Sequence, residues 1–406
     1  MSVKWLMAAI PALALAQTRL SLTDAINQAL TANQLISAAA ERVTVAEGMR
    51  RQADLLPNPR LVLQSENTRL FSPPPFVFWR DTDNFVYLQN TFETWGKRAR
   101  RTELAQQAVD RAGLERELVR RQIAGGVAQG YWAAAGSRRL YSLFQENQRT
   151  FAQIIVYHES RVKEGAMAEA DLLRVRLEAD RLAIATNIAA LEADRTRVQL
   201  LLVMGQTVFP ELEFTEPVEK PDLDLPAMDV AGALERRPEA RLARQAIQQA
   251  GAALRLQQVA GKPNVDAVFG YKRTAALDTL LGGVQLDLPL FNRNQGNVFA
   301  ATAGIRAAER DRAAVEALIR AEVQAAWHDY EIRFRQIAIS LQPLLEKARE
   351  TARIANAAYR EAGVDLLRLL DAERVRIEAE AQYYRYLVEL RQSRVALDIA
   401  MGLEPR

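Results

Sequence analysis

The side chains best suited to metal binding and acid–base chemistry are few and scattered in this sequence. It contains two histidines, His158 and His328, seven methionines and no cysteine. A metal site or a catalytic centre needs several such groups at suitable spacings. The sequence has none of these spacings, and it has neither a phosphate-binding loop nor a GxSxG nucleophile motif. The chain is therefore predicted to be no enzyme and to hold no metal or cofactor of its own.

The many carboxylate and guanidinium groups are better explained as the solvated faces of long helices. Lys and Arg number 53 and Asp and Glu number 50, which leaves a net charge of only +3. This balance lacks the one-signed field that a nucleic-acid partner requires. With 49% hydrophobic and 25% charged residues, the composition is that of a folded protein.

The first sixteen residues are typical of a secretory signal peptide. A lysine precedes an apolar run, and Ala14 and Ala16 provide the small residues that signal peptidase accepts before a cleavage site. A buried N-terminal helix is the alternative interpretation. After residue 16 no stretch approaches the roughly 18 apolar residues of a transmembrane helix, so this chain would have to cross a membrane as strands.

Two very long helical tracts dominate the rest of the sequence. No proline occurs between Pro75 and Pro210, and only two follow Pro289. Within both tracts apolar residues recur at intervals of three and four with charged residues between them, which is the pattern of helices packed side by side as in a coiled coil. A continuous helix over 97–161 would be roughly 100 Å long. The sequence thus predicts a mainly α-helical fold with a small β part, built from long antiparallel helical hairpins.

Two pairs of short segments interrupt these helices with an alternation of period two. The first pair covers 60–68 and 84–92, and the second covers 265–272 and 284–290. Each segment has one apolar face, which indicates a strand, and a length close to that of a tilted strand that crosses a bilayer. A small soluble hairpin on a helical protein would show the same alternation and is the alternative.

The sequence also repeats itself once. The echoes are Pro57-Asn58 with Pro263-Asn264, Gly165 with Gly363, Asp171-Leu172-Leu173 with Asp365-Leu366-Leu367, and Met204-Gly205 with Met401-Gly402. Such self-similarity indicates an internal duplication. We expect a first repeat over 17–205, a linker over 206–227, a second repeat over 228–402 and a short tail over 403–406. Each repeat contains a helix, two strands and a long helical hairpin.

Four strands from one chain cannot close a barrel. An open sheet in a bilayer would leave the backbone groups of its edge strands without partners, so a chain whose strands span the membrane must oligomerise. Three copies supply twelve strands, an even number within the range known for outer-membrane barrels. The predicted architecture is a twelve-stranded barrel formed by a trimer, with the long helices continuing from the strands as an α-barrel.

Three stretches resemble the TolC-like outer-membrane efflux proteins. They are Leu22 to Ile26 with Pro57-Asn58-Pro59, then Leu288-Pro289-Leu290-Phe291-Asn292-Arg293-Asn294-Gln295-Gly296, and then Gly363 to Ala372. The second stretch is most similar to the heavy-metal branch typified by CzcC. The resemblance, together with the duplication, covers nearly all of the chain after the signal peptide.

This resemblance implies the exit duct of a tripartite efflux system in the outer membrane of a Gram-negative bacterium, extending into the periplasm. It implies a homotrimer that works with a periplasmic adaptor protein and an inner-membrane pump of the proton-driven RND type. The cargo implied by the branch is heavy-metal cations of the cobalt, zinc and cadmium kind. Two alternatives remain open, namely the same duct serving organic compounds such as drugs, and a soluble periplasmic coiled-coil adaptor or scaffold.

The resemblance also implies roles for residues at the periplasmic tip. Gly165 and Gly363 fall at the two helix-to-helix turns that contact the adaptor in the family. Asp371 aligns with an acidic residue of the family's closed aperture, whereas Arg368 replaces a second acidic residue. Arg368 therefore either belongs to an altered gate or forms a surface ion pair with Asp365 or Asp371 at a spacing of three residues.

Aromatic residues border the first pair of strands. Phe78 and Trp79 precede its second strand, and Phe92 and Trp95 end it. Rings at these positions are expected in the aromatic girdles at the two membrane boundaries. Loop packing alone is the alternative explanation for Phe78 and Trp79.

Overall fold

The computed structural model describes residues 18–69, 75–219, 224–274, 277–361 and 363–405. The signal peptide expected over 1–16, with Ala14 and Ala16, lies outside these residues. The chain forms two compact units, each assembled from separate stretches of sequence. We call Met1–Ser37, Leu118–Arg237 and Leu318–Arg406 the helical unit, and Ala38–Glu117 and Pro238–Ala317 the sheet unit.

Helices account for most of the described chain. The helices are α1 (Leu22–Ala32), α2 (Gln34–Ala53), α3 (Phe78–Asp81), α4 (Lys97–Lys163), α5 (Glu169–Val203), α6 (Val230–Arg236), α7 (Pro238–Ala260), α8 (Gln295–Gln336), α9 (Gln342–Arg360) and α10 (Leu366–Ala400). The strands are β1 (Thr18–Leu20), β2 (Arg60–Glu66), β3 (Asp83–Phe92), β4 (Leu212–Phe214), β5 (Val265–Thr274) and β6 (Leu277–Leu286). No helix of the described ranges is both long enough and apolar enough to cross a bilayer.

In the helical unit, glycines on α4 allow α10 to approach it closely. A Cβ atom added to Gly136 would lie 2.0 Å from Val388 Cγ2, and one added to Gly125 would lie 2.5 Å from Ile399 Cδ1. Further along the same antiparallel contact, the Gln392 amide donates to the Gln129 carbonyl oxygen at 3.3 Å. The small residues on α4 therefore fix which face of α10 is buried.

Strand β1, the first described element, is held by the segment that follows α5. Strand β1 pairs in parallel with β4, with Leu20 opposite Phe214. The buried Tyr131 hydroxyl lies 3.2 Å from the Leu20 carbonyl oxygen and also bonds the Glu216 carboxylate, which accepts the Leu22 amide at 3.0 Å. Burial and the neighbouring Glu216 raise the pKa of Tyr131, so the phenol stays protonated and keeps this link.

A π-helical segment, Ile337–Leu341, joins α8 to α9. At its end the Gln342 amide donates to the Ile337 carbonyl oxygen, five residues back. Pro343 follows as the second residue of α9 and has no amide hydrogen to continue an α-helical pattern. The wider π-helical turn thus accommodates Pro343. Helix α4 contains no proline and runs from Lys97 to Lys163 without interruption.

The hairpin helices reveal the register of the internal repeat. Helices α5 and α10 are both 35 residues long, and α10 begins 197 positions after α5. At this offset, seven positions are buried in both helices. These pairs are Leu172 with Leu369, Val175 with Ala372, Leu182 with Ala379, Ala193 with Leu390, Thr196 with Ser393, Leu200 with Leu397, and Leu201 with Asp398.

This register shows that one of the repeated motifs inferred from the sequence does not occupy equivalent positions in the two repeats. The Asp-Leu-Leu triplets at 171 and 365 are 194 positions apart, so they are three residues out of step with the helices that contain them. In the structure, Asp171 corresponds to Arg368, and Asp365 corresponds to Ala168 at the N-cap of α5. The triplet match therefore does not mark equivalent positions.

The sheet unit contains one antiparallel sheet with the strand order β2-β3-β5-β6. The first three strands lie close to their predicted positions. The fourth was predicted wrongly, because β6 covers Leu277–Leu286 rather than 284–290. Its pairing with β5, from Thr274 opposite Leu277 to Val265 opposite Leu286, decides these bounds. Gly282 and Gly283 have no side chains, so they interrupt the alternation of apolar and polar residues that would have indicated β6 in the sequence.

One face of this sheet consists of exposed apolar side chains that align across all four strands. Leu63 lies opposite Val86, Val86 opposite Tyr271, and Tyr271 opposite Leu280. We call this surface the apolar sheet face; its members are Leu61, Leu63, Val86, Leu88, Phe269, Tyr271, Leu280, Val284 and Leu286, all exposed. An aligned patch of this kind marks a surface made to contact something other than water.

Candidate functional site

The turn between α4 and α5 is closed by a glycine in the left-handed conformation. Gly165 has φ +70°, its amide donates to the Val162 carbonyl oxygen at 3.0 Å, and the Ala166 amide donates to Arg161 at 2.9 Å. This is the hydrogen-bond pattern of a Schellman C-cap. No heavy atom lies within 4 Å of a Cβ built on Gly165, so its backbone conformation rather than lack of space calls for glycine.

In the turn between α9 and α10, the glycine occupies a different position of the turn. The Gly363 amide donates to the Ala358 carbonyl oxygen at 2.8 Å, which is the bond that Ala166 makes in the first turn. Gly363 is therefore the structural counterpart of Ala166 rather than of Gly165. Asp365 then caps α10, because its carboxylate accepts the Arg368 amide at 3.0 Å.

An apolar core joins the ends of the two hairpins. Its buried members are Phe151, Val175, Leu182, Leu366, Leu369, Leu370 and Ile377, which come from α4, α5 and α10. Tyr359 from α9 packs against the same cluster. The two turns are therefore held near each other by side chains that share one core, and we call this region the helical tip.

Two aromatic rings add a contact between the ends of α4 and α9. His158 is only 2% exposed, and its ring stacks on that of Tyr359 with 14° between the planes and 5.9 Å between centroids. Burial lowers the pKa of His158, and Arg161 acts in the same direction, whereas the Ile154 carbonyl and Asp171 oppose it. Burial also raises the pKa of Tyr359. Both side chains are thus held in their neutral forms.

A polar network ties α4, α9 and α10 together one layer above the tip. The Arg376 guanidinium donates to Asn147 Oδ1 at 2.6 Å, to Glu373 at 2.8 Å and to Glu380 at 2.9 Å. Arg349 donates to the other oxygen of Glu380 at 2.8 Å. Asn147 and Glu380 are buried, so each of these polar groups needs its partners.

The three aperture candidates lie together on the first turns of α10, and all three are exposed. Of the two alternatives for Arg368, the ion pair with Asp365 or Asp371 is wrong. Asp365 is used as the helix cap, and Asp371 pairs with Arg374 at 2.6 Å. Within the described chain the Arg368 side chain forms no ion pair. Its counterpart in the first repeat, Asp171, pairs with Arg174 at 3.2 Å.

The four aromatic residues singled out in the sequence lie near the two ends of β3. Phe78 and Trp79 are the first two residues of α3, which precedes the strand, and their rings meet edge to face at 5.2 Å. Phe92 is the last residue of the strand, and Trp95 follows with φ +59°. All four are exposed. They thus border the apolar sheet face where β3 begins and ends.

No group of three or more histidine, aspartate or glutamate side chains in the described ranges is arranged to hold a metal ion. His328 lies on α8 beside Glu331 at 3.6 Å, whereas His158 belongs to the aromatic pair at the tip. The structure therefore does not bring the two histidines together.

Comparison with known families decides the class of this protein. A family model described as outer membrane efflux protein matches residues 25–206 and 230–403, which is most of the chain. The chain belongs to this family. Its two matched stretches nearly coincide with the two repeats expected over 17–205 and 228–402. It is an outer-membrane efflux channel, and the alternative of a soluble periplasmic adaptor is wrong.

One relative of the channel is named for resistance to metals. The cobalt-zinc-cadmium resistance protein CzcC of Cupriavidus metallidurans is 23% identical over 388 residues, which cover 94% of this chain and 90% of CzcC. The resemblance to the heavy-metal branch is thereby confirmed.

Solved structures of similar fold are outer-membrane channels. The open state of MtrE from Neisseria gonorrhoeae has a TM-score of 0.79 at 19% identity, covering 95% of this chain and 89% of MtrE. A structure of CusC has a TM-score of 0.78 at 19% identity, covering 94% of this chain and 92% of CusC. The predicted fold class, mainly helical with long hairpins and a small β part, is confirmed.

Sequence reasoning missed two parts of the tip of this efflux channel. It considered His158 only as a metal ligand, and it did not single out Arg376 or Asn147. A histidine at an apolar position near a helix end, and an arginine between two glutamates at helical spacing, were the available signals. Neither signal identifies the partner on another helix, because Tyr359 and Asn147 lie about 200 positions away in the sequence.

Proposed function

We propose that this outer-membrane efflux channel is the exit duct of a tripartite system that exports heavy-metal cations of the cobalt, zinc and cadmium type. Three copies assemble into the duct, a periplasmic adaptor binds its tip, and an inner-membrane pump of the proton-driven RND type supplies the energy. The channel itself carries out no reaction. Membership of the efflux family and similarity to CzcC over 94% of the chain support this proposal.

The observation that carries the proposal is the apolar sheet face. Nine apolar side chains stand exposed on four strands, a pattern suited to hydrocarbon rather than water. Within one copy, β2 and β6 are the edges of the sheet, and each leaves a row of unpaired backbone groups. Pairing β6 of one copy with β2 of the next removes both edges, and three copies give twelve strands.

The aromatic residues at the ends of β3 support the same placement. Phe78 and Trp79 fit the boundary at the strand's start, and Phe92 and Trp95 fit the boundary at its end. The Lys262 ammonium lies 5.4 Å from the centroid of the Trp95 ring. An aromatic ring at the headgroup level of a bilayer contacts both lipid and water. A lysine ammonium beside such a ring can remain hydrated while it is attracted to the ring.

We place the adaptor contact at the helical tip. The turn at Gly165 is open on its outer side, because a Cβ there would meet nothing within 4 Å. Gly363 lies in the second turn, where its amide is already used within the chain. Asp365, Arg368 and Asp371 are the residues to test first for the aperture, because all three are exposed next to that turn.

The test is a strain from which this gene is deleted, with and without the gene restored, exposed to zinc, cobalt, cadmium and copper salts and to a panel of dyes and antibiotics. We expect selective sensitivity to metals, reversed by the restored gene. Sensitivity to organic compounds alone would show that the cargo is organic and would overturn the metal assignment. Absence of the protein from the outer-membrane fraction would overturn the duct itself.

A further inference from the structure

Three basic side chains lie where the strands of the sheet unit join its helices. Lys97 begins α4 after β3, Lys262 lies between α7 and β5, and Arg293 lies between β6 and α8. Lys262 and Arg293 are exposed, and Lys97 is half-buried. Within the described ranges none of the three forms an ion pair. We call Lys97, Lys262 and Arg293 the basic cluster.

The loops that carry the basic cluster touch one another. The Lys97 ammonium donates to the Lys262 carbonyl oxygen and, at 2.8 Å, to Asn264 Oδ1. A Cβ atom built on Gly261 would lie 2.3 Å from the Arg293 carbonyl oxygen. The backbone at Arg293 therefore packs directly on the glycine that precedes Lys262. The three positive charges belong to adjoining loops.

The carboxylates of the same region do not neutralise the basic cluster. Glu93 binds the Arg101 guanidinium through both of its oxygens, and Asp266 accepts a hydroxyl group from β3. Asp287 is exposed, but the alternation of β6 places it on the opposite face from Leu286. The cluster thus carries a positive charge for which the described chain provides no counterion.

Exposed apolar side chains border the basic cluster. Trp95 is 63% exposed, and the Lys262 ammonium lies 5.4 Å from the centroid of its ring. Phe291, two residues before Arg293, is 91% exposed. Leu288 and Leu290 continue the alternation of the apolar sheet face beyond the end of β6, and both are exposed. Positive charge and apolar surface thus meet at the strand ends that join the helices.

A ligand that uses this whole surface has a negative headgroup and an apolar body. Ammonium and guanidinium groups bind phosphate oxygens through charge-assisted hydrogen bonds, and basic residues beside an apolar membrane surface bind anionic lipid headgroups. A soluble anion would use the basic cluster but would leave Leu288, Leu290 and Phe291 in water. The combination therefore favours a phospholipid over a free phosphate ion.

The position of the cluster in the proposed duct agrees with this ligand. Helices α4, α7 and α8 join the strands at this end of the sheet, and the proposed duct continues along them into the periplasm. The cluster would then lie at the inner leaflet of the outer membrane. Strands β3 and β5 are the inner strands of the sheet, so pairing between copies through β2 and β6 leaves Trp95 and Lys262 uncovered.

We propose that the basic cluster binds the phosphate of an anionic phospholipid of the phosphatidylglycerol kind, with the acyl chains lying along Leu288, Leu290 and the apolar sheet face. Lys262 and Arg293 contact the phosphate oxygens. Lys97 holds the Lys262 loop in place and adds its charge. This site rests on the proposed function for the orientation of the strands in the membrane.

The test measures lipid binding to the purified, assembled channel by native mass spectrometry. The channel is titrated with phosphatidylglycerol and, separately, with phosphatidylethanolamine, and we expect the anionic lipid to bind more tightly. Lys262→Gln and Arg293→Gln are each expected to weaken phosphatidylglycerol binding about fivefold, the effect of one basic residue at an anionic lipid surface. Lys262→Arg keeps the charge and is expected to bind this lipid as the unchanged channel does.

Two controls separate a built site from general attraction of charge. Arg310→Gln removes an exposed positive charge roughly 22 Å along α8 from its first residue, and it should leave phosphatidylglycerol binding unchanged. Inorganic phosphate at millimolar concentration should not displace the lipid, because it has no apolar body.

Three results would overturn the inference. They are unchanged lipid binding in both Lys262→Gln and Arg293→Gln, an equal loss in Arg310→Gln, and displacement of the lipid by inorganic phosphate, which would indicate a site for a free anion. If such a result comes with normal oligomer mass and normal recovery from the outer-membrane fraction, the duct stands and only the lipid site is wrong. Absence of the unchanged protein from that fraction would instead overturn the duct.

Discussion

The imidazole Nε2 of His158 lies 3.1 Å from the hydroxyl oxygen of Tyr359, and the two rings are nearly parallel. The residues belong to the last turns of α4 and α9, which come from different repeats. This contact connects the two hairpins at the end where the adaptor is proposed to bind. A proton on His158 would place a charge in this buried contact, so the contact is sensitive to pH.

The first prediction concerns pH. Burial holds the pKa of His158 below its ordinary value of 6.5. The stabilising contribution of neutral His158 is therefore complete above that value and is lost as the pH falls toward the lowered pKa. We expect hydrogen-exchange protection at the ends of α4 and α9, corrected for intrinsic rates, to decrease between about pH 7 and pH 5.

His158→Gln should remove this dependence, whereas His328→Gln, at a half-exposed position, should retain it. An equal loss of protection in His158→Gln and in the unchanged protein would contradict the assignment to this histidine.

The second prediction concerns the turn at Gly165. Gly165→Ala places a side chain at φ +70°, which costs about 1–2 kcal/mol for a residue other than glycine. We expect the turn to loosen and adaptor binding to weaken, as measured with the purified channel on an immobilised adaptor. Gly113→Ala, inside α4 with open space around the site, should not weaken binding. Unchanged affinity for both variants would argue against a role for this turn in docking.

The third prediction concerns the close approach of α10 to α4. Gly136→Ala inserts a methyl group against Val388 and should cost about 1–3 kcal/mol, seen as a lower thermal midpoint in detergent. Val388→Ala in the same chain should recover part of the loss, because it removes the clashing methyl groups. Gly126→Ala, whose Cβ would make an ordinary contact with Val203, provides the control. Additive effects of the two substitutions would exclude this contact as the cause.

The fourth prediction concerns the network around Arg376. Arg376→Met removes the donor shared by Asn147, Glu373 and Glu380 and should destabilise the helical unit by about 1–3 kcal/mol. The buried Glu380 keeps Arg349, which limits the loss. Arg353→Met removes an exposed pair with Glu350 and should leave the thermal midpoint unchanged. Equal midpoints for both variants would show that the network adds no stability.

The fifth prediction concerns the apolar sheet face. Leu88→Arg puts a charge on the surface proposed to face lipid, where the cost is about 2–4 kcal/mol near the bilayer midplane. We expect less assembled channel in the outer-membrane fraction. Gln89→Arg changes the neighbouring residue on the other face of β3 and should be tolerated. Normal assembly of Leu88→Arg would count against this face as the membrane surface.

The sequence by itself determined the features that depend on neighbouring residues. The periodicity of three and four residues identified α4, α5 and α10, and alternation located β2, β3 and β5, because one buried face imposes these patterns locally. The proline distribution showed where the long helices are possible. The duplication and the family resemblance were equally visible, since both are properties of the residue order.

The tertiary structure alone decided what depends on residues far apart in the chain. Pairing with β5 set the bounds of β6, and packing against α4 and α9 set the register in which α10 corresponds to α5. The partner of Asp371 is Arg374 rather than Arg368, and the Asp365 carboxylate caps the helix. His158 acquired its neighbour Tyr359 only when the two repeats packed together. Such contacts depend on through-space geometry, which no local pattern records.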